Sequence, residues 1–251
     1  MSGDGLGVSR TRWARTGRND AREHRQTGKE SRMATAIIGV GNIGGAIARH
    51  LVNGGEAVVL AADDPSKPEA LADELGPLAR AASVEDAIAA ADAVVFALWL
   101  DALRDVLPRQ ARGLEGKVVI DPSNPVGFDA SGQPIRTLPE GQSEGSVVVS
   151  LLPAGAHYVK AFGTLAAPSL ASSSNREPRA VLFYATDDDE AATTADRLIR
   201  AAGFEPLKAG GLADIRRIEM PGGDLHQASL NGAVLDLDEA RALLSKESVQ
   251  T

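Results

Sequence analysis

From residue 34 onward, short apolar runs alternate with stretches whose apolar residues recur every three or four positions. Residues 34–40 (ATAIIGV) read as a buried strand. Residues 42–53 read as a helix with Ile43, Ile47 and Leu51 on one face. The alternation continues with strands at 57–61, 78–81, 93–97 and 117–121, and helices at 68–75, 84–90 and 101–107. Ser83 stands where a helix N-cap is expected. Continuous Val/Ile runs separated by helices mark a parallel sheet covered on both faces. Beyond residue 121 the pattern loosens, and residues 122–142 and 167–178 are rich in turn formers and read as loops. Residues 143–152 are ambiguous, because Val147, Val148 and Val149 favour a strand while their position favours a crossover helix. Strands at 157–162, 180–185 and 205–208 and a helix at 188–202 follow. A last helix at 236–244 could bury Leu235, Leu237, Ala240 and Leu244 while Glu239, Arg241 and Lys246 stay in water.

The expected fold is therefore α/β: a doubly wound, mainly parallel Rossmann-type sheet with a short C-terminal extension. Its parts are a dinucleotide-binding region at 33–165, strands and a helix at 166–225 that complete the same fold, and a helical tail at 226–251. Residues 1–32 stand apart. They hold few large apolar side chains, eight Lys/Arg and four acids, and are expected to be a disordered basic leader with Met33 the natural start.

Composition sharpens this. The net charge of −8 combines +4 on residues 1–32 with −12 on the remaining 219 residues. An acidic chain repels phosphates, which argues against sequence-independent nucleic-acid binding. Cysteine is absent, excluding disulfides, thiol nucleophiles and Cys-ligated metal. The longest apolar run, 93–100, is strand-sized, so no membrane span is expected. A cytoplasmic protein with a small-molecule substrate or second redox cofactor, no metal and a homodimer left open is the resulting expectation.

The chemistry concentrates in Gly39-Val40-Gly41-Asn42-Ile43-Gly44, which closes a strand and opens a helix. In that context the first glycine allows a tight turn, the second lets the backbone approach a pyrophosphate, and the third lets helix and strand pack closely. The helix N-terminus offers its N–H groups to the phosphates. Asp63 lies at the end of the second strand, 19 residues after Gly44, where a carboxylate binds the ribose hydroxyls of NAD and repels a 2′-phosphate. Asp63 and Asp64 are equally good turn residues, and Lys67 nearby could reach a phosphate. The cofactor is thus NADP or NAD. His157 and His226 read as structural or surface histidines with a proton donor the alternative, Asp187–Glu190 as helix capping rather than a metal site, and Arg216-Arg217 as a solvated face that could contact an anionic substrate.

Four separated segments resemble the family of F420-dependent NADP oxidoreductases, whose fold also occurs in the cytosolic domains of membrane metalloreductases. They are the glycine turn, Asp121-Pro122-Ser123-Asn124-Pro125, Val159-Lys160-Ala161-Phe162-Gly163-Thr164, and Gly203-Phe204-Glu205-Pro206 followed by Ala209-Gly210. The resemblance implies hydride transfer between a nicotinamide and a second ring-bearing cofactor or substrate, coenzyme F420 among the candidates. It implies a ring site at the carboxyl ends of the strands. Ala97, Leu98, Trp99, Asn124, Pro125, Phe162, Gly163 and Thr164 would line it, joining Gly39, Gly41, Asn42, Ile43, Gly44, Asp63 and Lys67 as cofactor-binding residues. No catalytic side chain is singled out, since ring stacking at hydride distance needs neither nucleophile nor metal. The chain departs from the family pattern at Ala62-Asp63, where Ser-Arg is usual, at Gly163 in place of Asn, and at Leu98 in place of Pro. Those last two departures motivate a rival reading, a non-catalytic NAD(H)-binding or redox-sensing module.

Overall fold

The computed structural model describes residues 34–247. The expectations for the leader at 1–32 and for residues 248–251 lie outside the described residues. The elements in chain order are β1 (Ala34–Ile38), α1 (Asn42–Asn53), β2 (Ala57–Ala61), α2 (Ser66–Leu75), β3 (Ala79–Ala81), α3 (Val84–Ala89), β4 (Ala93–Phe96), α4 (Leu100–Leu114) and β5 (Val118–Asp121). They continue with β6 (Val126–Phe128), β7 (Pro134–Arg136), α5 (Glu144–Leu151), β8 (His157–Lys160), α6 (Ala167–Ser172), β9 (Val181–Ala185), α7 (Asp189–Ala201), β10 (Glu205–Gly210) and α8 (Leu237–Glu247). Two 3₁₀ turns, Leu212–Ile218 and Gln227–Leu230, connect the last strand to α8.

Eight strands form one sheet in the order β10-β9-β8-β5-β4-β1-β2-β3. All neighbours pair parallel except β8 and β9, which meet antiparallel through the single pair Lys160 and Ala185. The fold is the doubly wound, mainly parallel Rossmann-type α/β fold. Because neighbouring residues of a strand point to opposite faces, Ile37, Leu60, Val95, Ile120 and Val159 pack under α1, α6 and α7. Ile38, Val59, Phe96 and Val119 pack under α3, α4, α5 and α8. Both faces are covered, which is why the strands read as continuous apolar runs rather than alternating ones.

Several boundaries differ from the sequence reading for identifiable reasons. Residues 143–152 are helical: the Ser143 hydroxyl accepts the Ser146 N–H at 3.0 Å, and this cap overrides the strand preference of three valines. Helix α4 runs on through Pro108 to Leu114, because Leu103, Leu107 and Leu114 are all buried along one face. The 122–142 stretch contains the β6–β7 hairpin, whose turn is held by Asp129 Oδ1 accepting from the N–H groups of Ser131 and Gln133. Residues 167–172 form a short helix with proline in its first turn, where the missing N–H costs nothing. No helix among the described residues is long and apolar enough to cross a membrane.

Pro108 sits exposed in the interior of α4, where it removes one helical hydrogen bond. Replacing it with alanine should raise stability by about 1–3 kcal/mol in urea unfolding, since proline costs roughly 3 kcal/mol in a helix interior and stiffens the unfolded chain only partly in compensation. An unchanged or lower midpoint would mean that α4 needs the bend to seat Leu107 and Leu114.

Candidate dinucleotide and hydride-transfer site

The turn between β1 and α1 is built by contacts that only glycine permits. Gly39 has φ +92°, and its N–H donates to the Ala61 carbonyl at 2.8 Å. A methyl group on Gly39 would stand 2.4 Å from the Ala97 carbonyl oxygen. On Gly44 it would stand 1.9 Å from the Gly39 carbonyl oxygen. Gly41 is different: it is exposed, its φ is −72°, and nothing lies within 4 Å of where a methyl would sit. Packing therefore explains Gly39 and Gly44 but leaves Gly41 unexplained by the protein itself.

Helix α1 begins at this open point. It has no side-chain N-cap and no acidic residue in its first turn. Its leading N–H groups and positive dipole end thus face outward without a carboxylate or hydroxyl to answer them. A dinucleotide pyrophosphate fits this arrangement: it needs close backbone approach at Gly41 and unclaimed N–H donors at Asn42, Ile43 and Gly44. Asn42 is exposed and Ile43 half-buried against the core.

The ends of β2 and β4 flank the turn. Asp64, not Asp63, carries the turn chemistry: its Oδ1 accepts from Ser66 N–H at 3.1 Å and Ser66 Oγ at 2.7 Å, and these bonds hold its carboxyl below the usual range. Asp63 is exposed and its carboxylate has no hydrogen bond or ion pair among the described residues, and Lys67 is exposed at the start of α2. On the β4 side the Ala97 N–H donates to the Ile38 carbonyl at 2.8 Å, and Leu98 Cδ2 lies against Gly39. Trp99 follows with 62% of its surface exposed. An indole so exposed, one residue past Leu98 at the end of β4, is available for stacking.

A second group forms at the ends of β5 and β8. Asn124 Nδ2 donates to the Gly163 carbonyl at 3.0 Å, and its Oδ1 accepts from the Met220 N–H at 2.8 Å. Both ends of this amide are committed to protein, so Asn124 shapes the crevice wall. Pro125 is buried. Two members of the expected ring site depart from expectation. Phe162 is fully buried in the core beneath α1 and α7, so its ring has no face to offer a ligand. Its contribution is backbone geometry, with φ +66°. Thr164 is 2% exposed, and its hydroxyl has no partner. Gly163 is dictated by packing: a methyl there would lie 2.6 Å from the Pro122 carbonyl oxygen, so the asparagine common in the family does not fit this backbone.

Behind these loops lies a buried ionic cluster that the sequence reading did not assemble. Lys160 Nζ donates to Asp121 Oδ2 at 2.9 Å and lies 3.4 Å from Glu219 Oε1. Tyr158 donates its hydroxyl to the same Asp121 oxygen at 2.8 Å. Glu219 in turn accepts the N–H groups of Glu144 and Gly145 at 3.1 and 2.9 Å, capping α5 from a distant segment. Burial disfavours charge on Asp121, but Lys160 and the Ser123 hydrogen bonds outweigh it and hold the carboxyl below its ordinary range. Lys160 likewise stays charged despite burial because Asp121, Glu219 and Glu144 surround it. Glu144, fully buried with neither carboxylate oxygen hydrogen-bonded, is pushed up to about 7, mainly by burial. His226 is buried too and is pushed down to about 4 by desolvation. Its Nδ1 accepts from the Ala228 N–H at 3.0 Å, which leaves the other ring nitrogen to donate to the Gly163 carbonyl. The signal for the cluster was a lysine inside the apolar run Val159-Lys160-Ala161-Phe162.

Two predictions follow from this geometry. Gly44→Ala should cost several kcal/mol or prevent folding, whereas Gly41→Ala should fold with a thermal midpoint near that of the parent. Loss of dinucleotide binding by fluorescence titration in the folded Gly41→Ala protein would mark the open position as the contact point. Retained binding would place the pyrophosphate elsewhere. The second concerns pH. The folded chain protonates Glu144 more readily than the unfolded chain, so this group lowers stability as pH rises from 4.5 towards 7. His226 resists protonation when folded, so it lowers stability as pH falls from 6.5 towards 4. Each is worth about 3 kcal/mol and they oppose each other between pH 4.5 and 6.5. Glu144→Gln should expose the histidine: relative to the parent, its unfolding free energy should rise by about 2–3 kcal/mol between pH 4.5 and 6.5. A parallel pair of curves would mean that Glu144 stays ionised.

Comparison with known proteins agrees with the geometry. Residues 34–125 match the model of the family described as NADP oxidoreductase, coenzyme F420-dependent. The metalloreductase STEAP3 of Rattus norvegicus is 31% identical over 183 residues, 73% of this chain, which spans only 35% of that protein's length. The solved structure of the hypothetical protein SMa0349 from Sinorhizobium meliloti superposes with a TM-score of 0.72 at 30% identity, covering 83% of this chain and 97% of that one. A structure from Arthrobacter sp. FB24, described as an F420-dependent NADP-reductase, shares the fold with a TM-score of 0.61 at 23% identity, over 70% of this chain and 84% of its own. A matched family motif with its glycine turn in the required strand-to-helix setting, and a 30% identical structure aligned over nearly its whole length, place the chain in the F420-dependent NADP oxidoreductase family.

Proposed function

We propose that the protein is a nicotinamide-dinucleotide-dependent oxidoreductase that passes a hydride between NADP or NAD and a second ring-bearing cofactor or substrate, with coenzyme F420 the acceptor its family suggests. The observation that carries this reading is Gly41: among three glycines of one turn, it alone faces open space at an uncapped helix N-terminus. The first-turn N–H groups of α1 would hold the pyrophosphate. The free carboxylate of Asp63 would accept from the ribose hydroxyls next to the adenine, and Lys67 stands where a 2′-phosphate would be met.

Ala97, Leu98, Trp99 and Asn124, at the carboxyl ends of the neighbouring strands β4 and β5, would border the nicotinamide of a dinucleotide held at that anchor. A bound dihydronicotinamide supplies the hydride. The protein's part is to hold two rings face to face and keep water out. Trp99 offers one stacking face. Asn124 acts as a positioning residue, because its amide fixes the Gly163 and Met220 backbone that borders the ring site. Neutral His226 donates its proton to the Gly163 carbonyl, so at neutral pH it stiffens this wall without adding charge. The close approach of the Pro122 carbonyl gives Gly163 a packing reason, which supports this reading over a non-catalytic sensor.

Binding of NADH and NADPH, followed by fluorescence, tests the anchor. Asp63→Arg should weaken NADH at least tenfold and tighten NADPH, since a 2′-phosphate then meets a cation in place of an anion. Equal, unchanged affinities would show that Asp63 is a solvated residue only. Oxidation of the preferred reduced cofactor by oxidised F420, flavins or simple quinones tests the chemistry. Tight cofactor binding with no turnover on any of them would overturn the enzyme reading.

A further inference from the structure

The buried cluster at the ends of β5 and β8 sets three carboxyl groups, Asp121, Glu144 and Glu219, against the one ammonium of Lys160. Two of the three are answered. Asp121 accepts from Ser123, Tyr158 and Lys160. Glu219 accepts the N–H groups of Glu144 and Gly145 and lies 3.4 Å from Lys160 Nζ. The Glu144 carboxyl is fully buried, and neither of its oxygens has a hydrogen-bond partner among the described residues. Ser123 and Lys160 favour its charged form, yet both are already committed to Asp121. With all three carboxyls ionised, two negative charges would be left without a cation and away from water, which is strongly disfavoured. One proton therefore stays in the cluster. It sits on Glu144, whose carboxyl burial pushes up to about 7.

The groups that face Glu144 from other elements keep their state through neutrality. Asp121 on β5 stays ionised despite burial, because Lys160 and Ser123 outweigh it. Lys160 on β8 stays charged despite burial among the carboxylates, and burial pushes the Tyr158 hydroxyl well above its usual range. The 3₁₀ turn meets α5 through Ile215, and the buried face of α4 is Leu100, Leu103, Leu107 and Leu114. The path from Glu144 to the crevice is short. Its N–H is bonded to Glu219 Oε2. The next residue, Met220, donates its N–H to Asn124 Oδ1 at 2.8 Å, and Asn124 holds the Gly163 carbonyl at 3.0 Å.

We propose that Glu144 is a positioning residue that works as a proton-operated latch on the crevice wall: protonated, it lets Glu219 hold α5 and keep the Met220–Asn124 bond in place; ionised, it repels Glu219 and loosens that bond. The proton passes to water and returns from it, and no other bond is made or broken. Below neutrality the wall is closed and borders the nicotinamide firmly. Above it the wall slackens, while the pyrophosphate anchor on β1 and α1 is untouched. The effect on the nicotinamide rests on the oxidoreductase reading; the latch itself does not.

Hydrogen exchange of the Met220 amide follows the latch directly. It is read by NMR on the full chain between pH 6 and 8.5 and corrected for the intrinsic exchange rate. Protection should fall about tenfold or more through one step centred near pH 7, as a local opening does. Glu144→Gln, a neutral mimic of the protonated acid, should keep protection high and level, so that at pH 8 it exceeds the parent. His157 also titrates near neutrality, held above its ordinary range by its hydrogen bond to Asp188. His157→Gln should leave the step in place. On the same samples, the nicotinamide fluorescence lifetime of bound NADPH should shorten through the step in the parent and stay level in Glu144→Gln, with dissociation constants alike in the two proteins.

Level Met220 protection in the parent, a step that survives Glu144→Gln, or a step that vanishes in His157→Gln would each overturn the latch. If Glu144→Gln does not fold, the parent and His157→Gln profiles decide. An exchange step with a level NADPH lifetime would overturn the coupling to the ring. A step in exchange without NADPH binding leaves the latch standing and the oxidoreductase reading fallen. NADPH binding with level Met220 protection does the reverse.

Discussion

The ammonium of Lys160 sits 2% exposed among three carboxyl groups, and the carboxyl edge of the sheet is assembled around it. Through Asp121 it joins β8 to β5. Through Glu219 it reaches the segment after the 3₁₀ turn at Leu212–Ile218, which in turn caps α5 at Glu144 and Gly145. Removing either sign from such a buried group leaves the other uncompensated, at a cost of about 3–5 kcal/mol. The loops that border the crevice therefore share one electrostatic anchor, although their residues come from four separate parts of the chain. Asn124 and His226, both bonded to the Gly163 carbonyl, add a neutral layer of the same kind just above it.

The placement of chemistry follows from this division of labour. Near β1, β2 and β4 the protein leaves polar groups open: the N–H groups of α1, the Asp63 carboxylate and the Trp99 face. Near β5 and β8 most polar groups answer one another, as Asn124, Asp121 and Lys160 do, while the Thr164 hydroxyl and the Glu144 carboxyl stay unpaired among the described residues. A dinucleotide carries its pyrophosphate in the middle, between an adenosine end and a nicotinamide end, and the open donors of α1 suit that pyrophosphate.

Most of the sheet was legible because buried parallel strands write themselves as unbroken Val/Ile runs, and because the glycine turn has fixed spacing relative to its strand and helix. Ser83 and Asp188 were legible as caps for the same local reason. What remained hidden depends on contacts distant in sequence. Nothing near residue 144 announces that Glu219 will cap its helix, and Phe162 looks like a ring-site aromatic until the core claims it. Pro108 signals a helix end locally, yet the apolar face that includes Leu114 carries α4 past it. Gly163 looked like a lost functional group, while the reason for it lies 41 residues away at Pro122.

The junction between β8 and β9 has a consequence of its own. The sheet changes direction there, and the ladder crosses it through one residue pair. Side chains complete the seam: Thr186 donates its hydroxyl to the Tyr158 carbonyl at 2.6 Å, and His157 meets Asp188 at 2.7 Å. The six strands that carry the crevice are thus continuous in hydrogen bonding without β9 and β10, which with α7 are held instead by the shared apolar core, where Leu182, Leu198 and Phe204 pack with Ile37, Ile120 and Val159. Cohesion across the seam therefore comes from side-chain packing, while the hydrogen-bond ladder of the other six strands is complete without it.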